Sequence, residues 1–497
     1  IPAGTTVFTG TSQPDATTRT AILNHTKGTG ASVNWNSTDK IWVKDDAGTW
    51  QQSGAATIPS AANQSFAKFS LSGTYTGTSH DIIYTNTAVT GSQPQVEIKA
   101  TQTQSAPNNF DHAGESGDCG IATGNKAGND YTFTLNHKAS YLCLIPRTNN
   151  EYVKRSTLIK VEIMSDDEIA GTYNIAADGT LTLASGGSKT ITVTTGSGFA
   201  IDNAADDMSK NATYAVVAPG THKFRIRYWL RNTTDDPRGT IEGTVSKIVT
   251  LNCTAGSIHD ITANLDLHDY DGDHYYMWDA QEQYWKGHEW NHGGSQPTIN
   301  YWLPGATISN DYAKNNSDPR FYNAAFTSGV DNPATHTSFK NLPNVNEMSW
   351  YCMYGDPRWD ADELWTTMGH LYKGGMWFKK KSVLQAEGHY NSNTAYDGSD
   401  WRTAKKFGNW IVPLTLPSVS DANNYFYLPA LGYYDTRDSG NLYNVRFYGT
   451  FWSSSASPQY SDRAYYLWFG AGNVYVREDY ERHFGFRAQK FSDFGDN

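Results

Sequence analysis

Apolar and polar residues alternate over short runs in the first half of the chain, and a period of two predicts strands rather than helices. "TTVFTG", "SFAKFSLSG", "HDIIYTNTAV" and "PQVEIKATQTQS" all show it. "SVNWNSTDKIWVKD" places Val33, Trp35, Ile41 and Val43 where a strand–turn–strand would bury them. "SAPNNFDHAGESGDCGIATGNKAGND" reads as a long polar loop. The alternation restarts at "YTFTLNHKASYLCLIP" and continues through "TLIKVEIMS", "IAGTYNIAADGTLTL", "SKTITVTTG", "TYAVVAPGTHKFRIRYWL", "GTIEGTVSKIVTL" and "SIHDITANLDL". "DGT" marks a hairpin turn. Strands spaced by roughly 8–12 residues with no helical period indicate β-sandwiches. Two blocks predict two sandwiches in tandem, over 1–130 and 131–265.

The pattern changes at residue 266. Trp35, Trp42, Trp50 and Trp229 precede it, and the other twelve of the 16 tryptophans follow. The spacing predicts a helix at "NVNEMSWYCMYG", capped by Asn344 or Asn346. A second helix is predicted at "DADELWTTMGHLYKGG", where Asp360 would cap and Leu364, Met368 and Leu371 share a face. Short strands follow in "GMWFKKKSVL", "NWIVPLTL", "YFYLPALGYY", "GTFWSSS", "AYYLWFG", "NVYVRED" and "HFGFRAQ". The expectation for 266–497 is an α+β domain with long loops, in a chain that is mainly β.

A length of 497 residues fits roughly three domains. The net charge of −11 argues against nucleic acid, which needs a basic footprint. It also argues against simple docking on anionic lipid. No apolar run approaches the roughly 20 residues of a membrane-spanning helix. No basic-then-apolar leader opens the chain at Ile1, which says nothing about its compartment. Cys119, Cys143, Cys253 and Cys352 form no CxxC pair. A Cys119–Cys143 disulfide and four unrelated buried thiols both fit.

Several motifs invite chemistry. "WSSSAS" at 452–457 is not a GxSxG elbow, and its hydroxyls are expected to bond neighbouring backbone. "DYDGD" (Asp269, Asp271, Asp273) starts like a calcium loop, but Gly272 falls fourth and Ala280 stands at the twelfth position. His288-Glu289-Trp290-Asn291-His292 spells HExxH, but flanking glycines leave barely one helical turn, so an exposed loop is expected. Lys379–Lys381 reads as a solvated edge strand. "SQPD" at 12–15 carries a lectin-like string without its partner and is taken as chance. No metal or cofactor is expected.

The first 265 residues resemble the fimbrillin family, the pilins and related surface proteins of Bacteroidia. The resemblance rests on "ATTRTAI", "VNWNSTDKIWV", "LNHKASYLCLI", "IKVEIMSDDEIAGTY", "YAVVAPG" and "GSIHDITANLDL" in that order. It implies two transthyretin-like sandwiches, export to the cell surface, usually as a lipoprotein, and assembly with other pilus subunits by strand exchange. It also implies an arginine-specific cut, for which Arg19 is the candidate. The remainder is similar to the major paralogous domain first named from Fibrobacter, within the C-type-lectin-like fold. "NEMSWYCMYGDPRWD", "GGMWFKKKSVL", "YFYLPALGYY", "GTFWSSS", "AYYLWF" and "RHFGFRAQK" carry that similarity. Formylglycine-generating enzymes share the fold but need a late cysteine pair, and no cysteine follows Cys352.

The expected protein is therefore not an enzyme. It is an adhesin, a tip or accessory subunit of a pilus, whose C-terminal domain binds a glycan or a host protein. A bulky C-terminal domain suits a terminal subunit. The alternative is a surface carbohydrate-binding lipoprotein outside any pilus. Recognition is expected in "GHYNSNTAYDGSDWRT" and "YYDTRDSGNLYN", through Tyr396, Asp400, Trp401, Asp435, Arg437 and Asp438.

Overall fold

A computed structural model describes residues 4–11, 21–23, 25–324 and 334–497. Ser12–Asp15 and Arg19 lie outside the described residues. The chain is mainly β, in several sandwich-like sheets. It divides into two compact units, one of Ile1–Arg231 and Val245–Asp266, the other of Asn232–Thr244 and Leu267–Asn497.

In the first unit, one sheet runs in the order Trp50–Gln52, Trp42–Lys44, Ser79–Tyr84, Gly120–Ala127, Asp130–Thr134, Thr6–Thr11, Ala67–Leu71. Asn136–His137 pairs with Gly120–Ala127, so this sheet continues past residue 130. Thr6–Thr11 is parallel to Asp130–Thr134 and antiparallel to Ala67–Leu71. Alternation does what it predicts: in Asp130–Thr134 only Tyr131 and Phe133 turn inward. They join Phe8, Trp35, Ile41, Val43, Phe69 and Ile82 in one aromatic-rich core.

The stretch read as a polar loop instead holds a helical turn, Ala113–Ser116, and the strand Gly120–Ala127. Glycine on the inner face hid the strand. A Cβ on Gly124 would lie 2.9 Å from the Phe8 ring. The expected hairpin at "DGT" joins Ala170–Ile175 to Leu181–Ser188, with Gly179 N–H donating to Ala176 O at 2.8 Å. Ser140–Arg147 lies between Thr213–Val217 and the parallel strand Ile258–Asn264. All four cysteines are free and buried, so the Cys119–Cys143 disulfide is not formed.

In the second unit the helix Val345–Tyr354 forms where predicted. Asn344 Oδ1 accepts the Glu347 N–H at 3.0 Å, and Glu347 Oε2 accepts the Asn344 N–H at 2.8 Å, a reciprocal capping box. The second predicted helix is wrong. Residues 358–379 form a hairpin of Arg358–Thr367 and His370–Lys379. Its two turn residues, Met368 (φ 47°) and Gly369 (φ 82°), are both left-handed, as a tight hairpin requires. Thr366, Thr367, Tyr372 and Trp377 favour strands, and this outweighs the helical spacing of Leu364, Met368 and Leu371.

The lysine run is not an edge strand either. His370–Lys379 is central, paired with Tyr425–Pro429 on its far side, and Lys381 begins the helix Lys381–Ala386. A second sheet runs Tyr275–Tyr276, Phe486–Arg487, Gly449–Ala456, Ala464–Gly470, Asn473–Arg477, Gly408–Ile411. Trp285, Trp365, Trp401, Phe426, Tyr434 and Phe469 are among the residues of the unit's main core.

Candidate functional site

A short turn in the second unit presents two large aromatic rings to solvent. Asn300 is fully buried and clamps the turn: its Nδ2 donates to Val445 O at 3.2 Å, and its Oδ1 accepts the Val445 N–H at 2.9 Å. Tyr301 N–H donates to Leu442 O at 2.8 Å. The next residues, Tyr301 and Trp302, remain 41% and 48% exposed. Their rings stand 5.9 and 5.6 Å from Tyr443, which stacks on Tyr433 at 6.1 Å. Exposed rings on a pinned turn lose little freedom when a ligand covers them.

The charged residues expected in "YYDTRDSGNLYN" lie on the same hairpin as Tyr443: Asp435 ends the strand Leu431–Asp435, and Arg437 and Asp438 precede its partner Asn441–Val445. Asp435 caps the single turn Thr436–Asp438, accepting the Arg437 N–H at 2.9 Å. The Arg437 guanidinium lies 4.5 Å from the Phe484 ring and 5.7 Å from that of Tyr480. Asp435 at 3.5 Å and Glu481 at 3.9 Å flank it. Burial works against its charge, but these carboxylates hold its pKa above the ordinary arginine value. Asp438 accepts the Tyr443 hydroxyl hydrogen bond. Burial, with Asp438 adding to it, pushes the Tyr443 phenol up, so it keeps its proton and stays a donor. Aromatic faces beside oriented carboxylates and a guanidinium can stack on a sugar ring and bind its hydroxyls.

The other predicted loop is built differently. Trp401 is 1% exposed and cannot present a face to a ligand, which corrects its expected role. Its backbone N–H donates to Asn346 Oδ1 at 2.9 Å and its Nε1 to Asp397 at 3.1 Å, which turns the ring into the core. Asp400 is held by Asn346 at 2.8 Å and forked by Arg402 at 2.8 and 2.9 Å. Tyr396 is half-buried against Trp401 and Trp410. No hydrogen bond, ion pair or ring contact among the described residues joins Tyr396, Asp400 or Trp401 to Asp435, Arg437 or Asp438. Tyr301 and Trp302 were missed, while Tyr443 lies within the expected stretch "YYDTRDSGNLYN" without having been singled out. The available signal was the dense aromatics of "NYWLPG" next to a turn-forming Pro-Gly pair.

The remaining motifs resolve as structure. Ser453 Oγ donates to Tyr465 O at 2.8 Å, and Ser455 Oγ accepts the Val345 N–H at 3.1 Å, within the strand Gly449–Ala456. Trp452, Tyr466, Phe484 and Phe486 are buried in one core cluster. His288 precedes a single 3-10 turn, Trp290–His292, so no helix aligns it with His292. Burial would raise the Asp271 pKa, but hydrogen bonding to His274 and the charge of Arg487 hold it well below the ordinary carboxylate range.

No family model matches this chain, and no curated protein matches it. Solved structures do. A candidate cell adhesion protein from Bacteroides ovatus is 14% identical, with a TM-score of 0.32, over 53% of this chain and 93% of its own. One from Bacteroides uniformis is 16% identical, with a TM-score of 0.30, over 52% and 94%. A fimbrial protein from Bacteroides ovatus is 11% identical, with a TM-score of 0.23, over 96% and 98%. At these TM-scores the likeness fixes neither the family nor the function of this chain.

Proposed function

We propose that the protein is a cell-surface adhesin, a tip or accessory subunit of a pilus, that binds a glycan. The recognition face is that of Tyr301, Trp302 and Tyr443, with Asp435, Arg437 and Asp438 supplying polar contacts. The observation that carries this reading is the clamp of Asn300 on Val445, which holds two half-exposed aromatic rings beside an acidic and basic hairpin. Nothing in core packing calls for a tryptophan at 302, 48% exposed. A rigid aromatic platform rimmed by hydrogen-bonding groups is what a sugar ring needs.

The first unit serves assembly in this reading. Thr6–Thr11 is a single strand lying between Ala67–Leu71 and Asp130–Thr134. A cut at Arg19 would free it and leave a slot for a strand from a neighbouring subunit. A glycan array probed with the full chain, alongside a polymerisation assay with the arginine-specific protease, tests both halves. Glycan binding without protease-dependent polymer would favour the surface lipoprotein outside a pilus.

A further inference from the structure

Three side chains far apart in sequence meet in the first unit. The parallel register of Ser140–Arg147 with Ile258–Asn264 sets Cys143 opposite Asp260. His25 reaches the pair, its Nε2 lying 2.6 Å from Asp260 Oδ1. The ligand atoms of His25, Cys143 and Asp260 all lie within 4.8 Å of one another. His25 and Cys143 are buried, while Asp260 is half-buried and opens one side to solvent. The Gly28 N–H donates to Asp260 Oδ2 at 2.7 Å, leaving Oδ1 to face the imidazole.

We propose that His25, Cys143 and Asp260 bind a zinc ion, with water from the Asp260 side in the fourth position. Imidazole, thiolate and carboxylate are all zinc ligands, and three protein donors plus water complete a tetrahedron. Charge balances in a buried site: one thiolate and one carboxylate cancel the divalent ion. On binding, the Cys143 thiol gives its proton to solvent, and the imidazole proton moves from Nε2 to Nδ1 so that Nε2 can ligate. Metal–ligand distances of about 2.0–2.3 Å ask the His25–Asp260 contact to open by under about 1 Å. Among the described residues a second cluster, Asp166, Asp167 and His222, lacks a soft donor, and both ring nitrogens of His222 are already engaged, with Asp167 and Ala218 O.

The test titrates the full, chelator-stripped chain with cobalt(II), a spectroscopic stand-in for zinc. One equivalent is expected to bind with a thiolate-to-cobalt charge-transfer band in the near ultraviolet, and zinc is expected to displace it. Cys143→Ala should abolish the band. Asp260→Asn, which keeps the shape of the side chain, should stay folded by circular dichroism and bind at least about tenfold more weakly. Asp166→Asn should bind like the parent. No saturable cobalt band in the parent chain would overturn the site, as would binding that Cys143→Ala and Asp260→Asn leave unchanged.

Discussion

Phe8 stacks on Tyr131 with ring centroids 4.6 Å apart and planes 8° apart, and the strands that carry them run parallel. Phe8 is also edge-on to Tyr75 at 5.3 Å, so its ring packs on two aromatic neighbours while the strand pairs on both edges. Phe8→Ala should cost the first unit about 3–5 kcal/mol and lower its denaturation midpoint. Gly10→Val should do similar damage, since a Cβ there would lie 2.7 Å from the Phe133 ring. Urea unfolding followed by near-ultraviolet circular dichroism reads both.

In the proposed assembly, a cut at Arg19 leaves Phe8 and Tyr131 on separate chains, so that the Thr6–Thr11 strand can be exchanged for a neighbour's. The protease-treated chain should therefore form polymer, and Arg19→Ala should remain monomeric under the same treatment. Size-exclusion chromatography with light scattering distinguishes them. Polymer from Arg19→Ala would remove the processing step from the account.

Two tryptophans should behave oppositely. Trp401 lies in the core and donates to Asp397. Trp401→Ala should cost about 3–5 kcal/mol of the second unit's stability. Trp302 is half-exposed, so Trp302→Ala should change stability by no more than about 0.5 kcal/mol. Thermal unfolding of the two variants checks the contrast.

Burial lowers the His112 pKa to about 4, against the opposing charges of Glu115 and Asp111. The unfolded chain, with its histidine near 6.5, then binds the extra proton between those values. Stability from this residue is complete above about pH 6.5 and falls by roughly 1.4 kcal/mol per pH unit as pH drops toward 4. His112→Gln should flatten that part of a plot of denaturation midpoint against pH. An unchanged slope would place the acid sensitivity elsewhere.

Much of the fold was legible because the signals were local. Tyr131 and Phe133 alternate with polar neighbours, and Asn344 stands three residues before Glu347, so the strand and the capped helix announce themselves. The hairpin at 358–379 was misread because Leu364, Met368 and Leu371 repeat at helical spacing, while the turn at Met368–Gly369 lacks an Asn-Gly or Asp-Gly pair. The strand at 120–127 was missed because Gly124 makes room for Phe8, a residue over a hundred positions away. The same holds for the site. Asp435, Arg437 and Asp438 were found as turn residues, but Tyr301 and Trp302 join their hairpin through long-range contacts: the Asn300–Val445 clamp, the Tyr301–Leu442 hydrogen bond and the ring of Tyr443. Trp401 looked like a platform, and its burial depends on Asn346 in another element. Long-range pairing of this kind leaves no mark on either local segment.

The most direct test of the recognition face is a comparison of the parent chain, Trp302→Ala and Tyr443→Phe on one glycan array, followed by calorimetry with the best-bound glycan. With this recognition face the parent should bind a restricted set, Trp302→Ala should lose it, and Tyr443→Phe, which keeps the ring but releases Asp438, should weaken it by about tenfold. No glycan bound by the parent, or binding that Trp302→Ala leaves intact, would contradict this assignment.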